Sequence, residues 1–567
     1  MTVLRRAGVP SGWTLNAGTN NGDGTWTIQT NDPSTLTITT PVDFAGAVVL
    51  PVTMSWTNAD GSVGSAFVNN NVEAYAPGNP IFAVSADDHL TASSGTDLLV
   101  FAQPIARDVI HNFDVSADKI DLIGFAGVSG YANLSIADDA NGNAVITTSP
   151  GSTITVLGVH SADLSAANFE FNVEPVTINT GTMTIADGAI LPLGGVIENS
   201  GTIALGSSGS ETDLQILVES VTLQGGGHVV LSDNDNNVIF GGAATATLIN
   251  VDNTISGAGQ LGAGQMTLVN AGTIVADGSH ALVIDTGSNT VVNTGTLAAT
   301  GSGVLIVDSA VGGHGSAAIG GHGAIEFGAA SDANVGFAGD AAGTLSLDHA
   351  AGFSGTITGL NADDTLHFGD MGFSASAQLS YTANAAGTAG ALVVSDGTQT
   401  AHISLIGHYA ADAFQLSANA GGGTAVSNTA IDNGTVLGTS GADVLIGTAG
   451  NDILVGGQGS DTLTGGAGSD TFMFRSSDGR AVDTITDFDA AAGGDTLGIG
   501  ALLQGYSDGA DLAQFISLRQ SGSDTVVSVD MDGSGSAHDL QDLLILQGVT
   551  GLDFATLIAH VDAHPLP

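Results

Sequence analysis

Four nine-residue units follow one another without a gap across residues 438–473. Each unit fits the pattern G-[GT]-x-G-x-D-x-[LF]-x, in which a glycine-rich half alternates with a half that carries one large residue. Glycine adopts positive φ without strain, so the first half predicts a sharp turn that exposes backbone carbonyls. The second half predicts a brief strand that points its large residue into a core. The repeat therefore predicts a parallel β-roll, with core residues Leu445, Leu454, Leu463 and Phe472.

Successive units would run up one side of this roll and down the other, so that residues two units apart stack. Stacked carboxylates repel one another unless a cation lies between them, and Ca²⁺ takes about six to eight oxygen ligands. We therefore expect about two to four Ca²⁺ ions between the turns. The alternative is that these are ordinary Gly-Asp turns, but such turns would not require four consecutive units with the same spacing. The predicted ligands are the stacked pairs Asp443/Asp461 and Asp452/Asp470, with the turn glycines Gly441, Gly450, Gly456, Gly459, Gly465 and Gly468.

This run resembles the repeats-in-toxin (haemolysin-type) family of calcium-binding proteins. The sequence after it resembles that family's type I secretion C-terminal target domain, and the two together cover residues 432–567. The resemblance rests on Asp483-Thr-Ile-Thr-Asp-Phe-Asp, on Gly494-Asp-Thr-Leu and on a later strand, Leu543-Leu-Ile-Leu. It implies export by a type I secretion transporter, with an uncleaved C-terminal tail as the signal. A short final helix is predicted, with one face lined by Phe554, Leu557, Ile558 and Val561.

Two upstream segments repeat this arrangement without the glycine-rich turns. In residues 80–175, Asp88 and Asp97 are nine apart and each precedes a Leu by two positions. Asp108-Val-Ile-His-Asn-Phe-Asp then parallels the sequence that begins at Asp483. A looser copy lies within residues 346–430. We predict a degenerate β-roll-like module and a β-rich module, both structural, with a calcium ion at Asp88 and Asp97 as the alternative.

A different period occupies residues 176–345, where Asn-x-Gly-Thr recurs at Asn179, Asn199, Asn270 and Asn293. Each Asn-x-Gly predicts a turn, followed by a strand that stacks on the next rung of a β-solenoid. The segment resembles the passenger solenoids of bacterial adhesins, and such solenoids also carry carbohydrate-active enzymes. Residues 1–75 resemble part of a cadherin- or immunoglobulin-like β-sandwich repeat. We expect the chain to be the C-terminal part of a longer protein.

The charge balance restricts the partners of the chain. It has 7 Lys and Arg against 56 Asp and Glu, and no Lys or Arg lies between Lys119 and Arg475. Nucleic acids and anionic membranes need cationic protein surfaces, so neither is an expected partner. There are no cysteines, so we expect bound calcium to stabilise the fold in place of disulfides. No apolar run predicts a membrane span, and no apolar segment near the N-terminus predicts a signal peptide.

No catalytic motif stands up to inspection. Gly505-Tyr-Ser-Asp-Gly fits G-x-S-x-G, but it lies outside the strand-turn-helix that a nucleophile elbow requires. There is no H-E-x-x-H, and His560 with His564 are predicted to be a solvated pair. The loop that begins at Asp530 is predicted to be a hairpin turn. A polyuronate enzyme would need a basic clamp, and the predicted solenoid contains neither a basic residue nor a tyrosine. We expect no enzyme activity.

The sequence thus predicts an all-β chain of tandem β-modules with a central β-solenoid and a short C-terminal calcium-binding β-roll. The segments are 1–75, 80–175, 176–345, 346–430, a roll at 432–475 and a secretion domain at 476–567. The expected function is that of a secreted, extracellular or cell-surface protein of adhesin or biofilm-matrix type. Its partners would be the type I transporter and a host-cell, glycan or matrix surface. A surface-layer protein and a β-helix polysaccharide lyase or epimerase are the alternatives.

Overall fold

The structure is a computed structural model in which strands dominate. The all-β prediction is confirmed: the described residues contain one α-helix, α1 (Phe554–Ile558), and no helix among them is long and apolar enough to cross a membrane. Short 3-10 helices occur at Pro33–Thr35, Tyr131–Asn133, Ser161–Asp163, Ala166–Asn168, Ala350–Gly352, Ser476–Asp478, Gly500–Leu502 and Leu512–Gln514. The structure describes residues 2–6, 8–58, 60–83, 87–102, 105–338, 341–384, 387–407, 409, 413–419, 421–428, 435–438, 441–447, 450–478, 481–507, 510–533 and 540–564.

The chain divides into two compact units, residues 1–269 with 282–289 and residues 270–281 with 290–567. The division into six segments stays a prediction. In the first unit, the N-terminal strands β1, β4, β6 and β7 pair antiparallel around a small core that contains Trp13, Ile28 and Leu50. The strands are β1 (Thr2–Arg6), β2 (Thr14–Leu15), β3 (Thr19–Asn20), β4 (Trp26–Thr30), β5 (Ile38–Thr39), β6 (Ala45–Thr57) and β7 (Val63–Ala74).

A two-sheet module follows in the same unit. Strands β8, β10, β12 and β16 form one parallel sheet. Strands β9, β11 and β15 form another, which β14 and β13 extend in antiparallel fashion. Leu99, Phe101, Ile110 and Leu122 are fully buried in its core. The strands are β8 (Ile81–Ala83), β9 (His89–Thr91), β10 (Leu98–Ala102), β11 (Arg107–His111), β12 (Lys119–Ile123), β13 (Ser135–Asp138), β14 (Ala144–Ser149), β15 (Ser152–Val156) and β16 (Phe169–Phe171).

The first parallel rung of the β-solenoid begins at Val176, and the rungs stack with inward apolar residues. Strand β6 pairs in parallel with β18, so the N-terminal sheet continues into the first rung. The strands here are β17 (Val176–Asn179), β18 (Thr182–Ala186), β19 (Ile190–Asn199), β20 (Thr202–Gly206), β21 (Thr212–Gln224), β22 (His228–Leu231), β23 (Asn237–Gly241), β24 (Thr247–Asn250), β25 (Thr254–Gly257), β26 (Gly259–Gly262), β27 (Thr267–Asn270) and β29 (Leu282–Ile284).

The second unit also contains parallel rungs, and these continue into β38, β39 and β42, within residues 346–430. Strand β42 then pairs antiparallel with β41, and β39 with β44. The strands are β28 (Thr273–Ala276), β30 (Val291–Asn293), β31 (Thr296–Ala299), β32 (Val304–Val307), β33 (Val311–Gly312), β34 (Ser316–Ile319), β35 (Ala324–Phe327), β36 (Asn334–Phe337), β37 (Thr344–Leu347), β38 (Thr356–Thr358), β39 (Thr365–Phe368), β40 (Gln378–Ala383), β41 (Ala389–Ser395), β42 (Thr400–Ile406), β43 (Phe414–Ala418) and β44 (Thr424–Asn428).

The roll and its C-terminal extension complete the second unit. Alternate strands enter alternate sheets: β45, β47, β49, β51 and β55 form the first roll sheet, and β46, β48, β50, β54, β53 and β52 the second. The strands are β45 (Thr435–Leu437), β46 (Val444–Ile446), β47 (Ile453–Val455), β48 (Thr462–Thr464), β49 (Thr471–Met473), β50 (Asp483–Ile485), β51 (Thr496–Gly498), β52 (Ile516–Ser521), β53 (Asp524–Val529), β54 (Gln541–Leu546) and β55 (Val561–Asp562).

The predicted core positions of the roll, Leu445, Leu454, Leu463 and Phe472, are confirmed: all are buried in one cluster. The prediction for the final helix is partly wrong, because the helix ends at Ile558 and Val561 begins a strand that pairs with β51. The backbone N–H groups of Leu497 and Ile499 donate to the carbonyls of His560 and Asp562, so this strand extends the first roll sheet.

The outer face of the first roll sheet is also buried. Ile453, Val455 and Met473 point away from the roll interior and form a cluster with Ile406 of β42, against which Leu437 packs. The corresponding outward residues of β46 in the second roll sheet are open to solvent. One sheet of the roll is therefore covered on both faces, and the other on its inner face.

Candidate metal centre

The turns of the roll require glycine for two different reasons. Gly459 and Gly468 have φ of 118° and 136°, and a Cβ on either would lie 2.4 Å from the carbonyl oxygen of the corresponding glycine two units earlier. Gly456 and Gly465 instead face the aspartate of their own unit. A Cβ on Gly456 would lie 2.4 Å from Asp461 Oδ2. The backbone thus closes tightly around each carboxylate.

The aspartates stack as predicted, and the stacks extend beyond the repeats. The backbone N–H of Asp443 donates to Asp461 Oδ1 over 2.8 Å, across 18 residues, and that of Asp461 donates to Asp483 Oδ1 over 2.9 Å. We name Asp443, Asp461 and Asp483 the first carboxylate column. In the same way Asp452 N–H donates to Asp470 Oδ1, and Asp470 N–H to Asp495 Oδ1, both over 2.9 Å. Asp452, Asp470 and Asp495 form the second carboxylate column.

Sequence reasoning missed Asp483 and Asp495 as members of these columns. The signal was present, because each precedes a short Thr-x strand, as Asp461 and Asp470 do in their units. The longer connections hid it: the steps to Asp483 and Asp495 span 22 and 25 residues instead of 18. The glycine pattern that precedes each aspartate of the repeats is also missing before Asp483 and Asp495, so the second sequence signal was absent.

The surroundings of the carboxylates in the columns destabilise their charged form. Burial, followed by the like charges of neighbouring aspartates, raises the pKa of Asp461, Asp470 and Asp495, and raises that of Asp483 to about 7. Asp461 and Asp470 are each 1% exposed, and their Oδ2 atoms have no hydrogen-bond partner among the described residues. A buried carboxylate oxygen without a partner is costly, and a cation would remove the cost.

The donor set fits Ca²⁺. The columns offer carboxylate and backbone carbonyl oxygens, which are the ligands of a hard cation, and no cysteine. Among the described residues, no three His, Asp or Glu side chains lie together in a group that could hold a metal ion. Carbonyls of the glycine turns must therefore complete any coordination shell, as Ca²⁺ allows. The ligands predicted from the sequence, at Asp443, Asp452, Asp461, Asp470 and their glycines, remain the predicted set.

In the module of β8–β16, aspartates stack through the same hydrogen bonds from backbone N–H to carboxylate. The groups that surround the carboxylate in the turn are different. Asp97 N–H donates to Asp118 Oδ1 over 3.0 Å, as Asp470 does to Asp495. Asp97 Oδ2, however, accepts the backbone N–H of Ser93 over 2.7 Å, and the Ser93 hydroxyl also bonds this carboxylate. Protein donors thus occupy the carboxylate whose counterpart, Asp470, has a bare oxygen.

The catalytic candidates gain little from the structure. Ser507 lies between Tyr506 and residues outside the described part, so the G-x-S-x-G segment is incomplete there. The prediction of a solvated histidine pair is wrong for His560, which is buried with its Nδ1 2.6 Å from the backbone oxygen of Asp495. Its place beside β51 and the ring of Phe488 explains the burial. His564 is exposed and lies beside Asp562.

Comparison with known protein families identifies the repeat of the roll. Residues 437–472 match the family model described as RTX calcium-binding nonapeptide repeat, in four copies. No curated protein matches the chain. The matched repeat is a calcium-binding motif typical of secreted proteins, so the chain carries an RTX calcium-binding β-roll on a β-solenoid.

Proposed function

We propose that this is a secreted, calcium-dependent extracellular protein of adhesin or biofilm-matrix type, exported by type I secretion. The observation that carries the proposal is the pair of bare, buried oxygens at Asp461 and Asp470, in turns that match a calcium-binding repeat. Without calcium the stacked carboxylates repel and the roll is unfolded and exportable. Calcium outside the cell bridges them, and binding becomes folding free energy.

The solenoid segment, residues 176–345, carries 14 Asp and Glu residues and no Lys or Arg, so it lacks the basic clamp that a polyuronate enzyme would need, and this favours the adhesive role. A calcium-folded roll at the C-terminal end would then act as a folding trigger for this cargo. The binding target would be a host-cell, glycan or matrix surface.

Circular dichroism of the full chain, with calcium and then with EGTA, tests the calcium dependence. We expect β-sheet signal to fall on chelation and to return on adding calcium. Identical spectra in the two buffers would refute the proposal. Adhesion of a producing strain to matrix or cell layers, compared with a deletion strain at equal calcium, tests the adhesive role.

A further inference from the structure

Two histidines face each other on the outer surface of the module formed by β8–β16. His89 lies on β9 and His111 on β11, which are neighbouring parallel strands. Leu90 and Ile110, which adjoin them in sequence, are buried in the core of the module, so strand alternation turns both imidazoles outward. Because Val109 is the register partner of His89, the two rings are diagonal neighbours across the strand pair.

The two rings bring one nitrogen of each close together. His89 Nδ1 lies 3.0 Å from His111 Nε2, and the ring planes are stacked at 29° with their centroids 5.3 Å apart. Two nitrogens at this distance need a proton or a metal ion between them. Each neutral imidazole carries one proton and can hold it on either nitrogen. Both lone pairs can therefore turn toward one shared ion without the pair losing a proton.

The distance between the nitrogens matches a pair of metal ligands. Bonds from imidazole nitrogen to a metal of this size are about 2.0–2.1 Å long, which places two nitrogens about 2.8–3.0 Å apart at a right angle and about 3.3–3.4 Å apart at a tetrahedral angle. The observed 3.0 Å fits the right angle of a square-planar ion, the geometry of Cu²⁺ and Ni²⁺. Cu²⁺ binds such sites more tightly than the other divalent ions of the first transition row.

The surroundings of the pair suit an ion that keeps solvent ligands. Among the described residues, no three His, Asp or Glu side chains form a metal-binding group, so water has to complete the coordination. A structural zinc site would use four protein ligands instead. Burial, followed by the neighbouring His89, lowers the pKa of His111, so its ring is neutral and able to bind a metal at pH 7. The formal charge of −49 raises the concentration of cations around the chain.

We propose that His89 and His111 form a surface site for Cu²⁺, with His89 Nδ1 and His111 Nε2 as adjacent ligands and water molecules as the others. Calcium does not compete for this site, because Ca²⁺ takes oxygen ligands and the pair offers nitrogen. The inference does not depend on the proposed adhesive function.

Electron paramagnetic resonance of the full chain with one equivalent of Cu²⁺ tests the ligands. An excess of calcium in the buffer keeps the carboxylates of the roll occupied. The spectrum of the wild type should show a tetragonal ion coupled to two imidazole nitrogens. Lowering the pH from 7 to 5 should release the ion, because protonated imidazoles do not bind metals. A spectrum without nitrogen coupling would overturn the site and leave a hydrogen bond between the rings.

Isothermal titration calorimetry with Cu²⁺ tests the two residues one at a time. His89→Gln and His111→Gln should each lower the affinity by about tenfold or more, since loss of a direct ligand should weaken binding at least as much as loss of a residue that only orients a ligand. His228→Gln is the matched control, because His228 is an exposed strand residue in the same unit, and it should keep the wild-type affinity. Wild-type affinity in both of the other variants would overturn the site.

Discussion

At the scale of single residues, Asp461 and Asp470 show how the roll is built to need a cation. In each, Oδ1 accepts a backbone N–H from the turn two units earlier, and Oδ2 is bare and buried. The hydrogen bond fixes the carboxylate in place, and the bare oxygen makes that place unfavourable until a cation arrives. Asp97, whose carboxylate is held by Ser93, shows the same position satisfied by protein donors.

Replacing Asp461 with Asn should therefore act in opposite directions with and without calcium. We expect calcium affinity to fall by about tenfold or more, since loss of a direct ligand should weaken binding at least as much as loss of a residue that only orients a ligand. In EGTA the variant should retain more β-structure than the wild type, because an unpaired buried charge has been removed. Calorimetry and circular dichroism measure the two effects, with Asp511→Asn, the same change at an exposed N-cap, as the control. Unchanged affinity would count against Asp461 as a ligand.

Glu73 on β7 gives a pH prediction away from the roll. Burial, opposed by a hydrogen bond from Asn71 and reinforced by Asp88, raises the pKa of Glu73 to about 7 from its ordinary value of 4.5. A raised folded-state pKa contributes stability that is present below pH 4.5 and is lost as the pH rises through about 7. The N-terminal sheet should therefore be less stable at pH 8 than at pH 5.

All three tryptophans of the chain lie at Trp13, Trp26 and Trp56, so their fluorescence reports on this sheet during urea unfolding. The urea midpoint of the wild type should fall across this pH range. Glu73→Gln, which keeps the bond with Asn71 and does not titrate, should flatten the dependence. Equal slopes for the two chains would rule out Glu73 as the cause.

At the scale of elements, the solenoid asparagines do more than the sequence analysis predicted for them. Asn-x-Gly was predicted to form a turn before each strand, and that prediction assigned no role to the asparagine side chain. The structure buries them at strand ends in an amide ladder: Asn179 Nδ2 donates to Asn199 Oδ1, and Asn199 Nδ2 to Asn253 Oδ1, each over 2.8 Å. A side-chain ladder depends on the neighbouring rung, which no single turn sequence reveals.

Asn199→Ala should destabilise the chain by about 2 kcal/mol or more, because it removes the buried acceptor of Asn179 Nδ2 and the buried donor to Asn253 Oδ1. Asn236→Ala is the matched control, since Asn236 is exposed and makes a surface bond to Gly209. Urea unfolding followed by circular dichroism gives both values. If the two variants lost equal stability, the ladder would have no special role.

The strand register of the roll was predictable, because a strict nine-residue period leaves one way to stack Asp443 on Asp461. The burial of outward residues was not. Val444 and Ile446 are as apolar as Ile453 and Val455, yet the first pair is 72% and 66% exposed and the second is covered. The local sequences are equivalent, and only the rest of the second unit distinguishes them.

At the scale of the molecule, the second unit joins calcium binding to the packing of its solenoid. Ile453, Val455 and Met473 cover Ile406 only while the roll is folded. Chelation should therefore expose apolar surface on both partners. The folded roll would then shield apolar surface of the second unit from solvent, in addition to starting the folding of the chain.

A dye that fluoresces on apolar surfaces checks this prediction. Its fluorescence with the full chain should rise when EGTA is added and fall again with excess calcium. Ile406→Thr, which removes apolar surface from the covered site, should reduce the rise. Loss of β-structure in EGTA without any gain in dye fluorescence would show that the covered face does not open.

The solenoid and the roll could both be predicted because each has a repeating sequence pattern, and the local residues of each repeat are enough to specify its strand and its turn. What the sequence left hidden depends on distant contacts, as with His560 beside Asp495 and with the first roll sheet against Ile406. The members of the carboxylate columns beyond the repeats were hidden for the same reason, since Asp483 and Asp495 reach Asp461 and Asp470 only after longer connections.

The alternation of strands between the two roll sheets sets a rule for how this array can evolve. Each nonapeptide carries the chain from one sheet to the other, as β46 and β47 do. Loss or gain of a single unit would send every later strand to the other sheet and move Met473 to the solvent side. Loss or gain of two units would keep Met473 in place. Insertions and deletions in this array should therefore be inherited as even numbers.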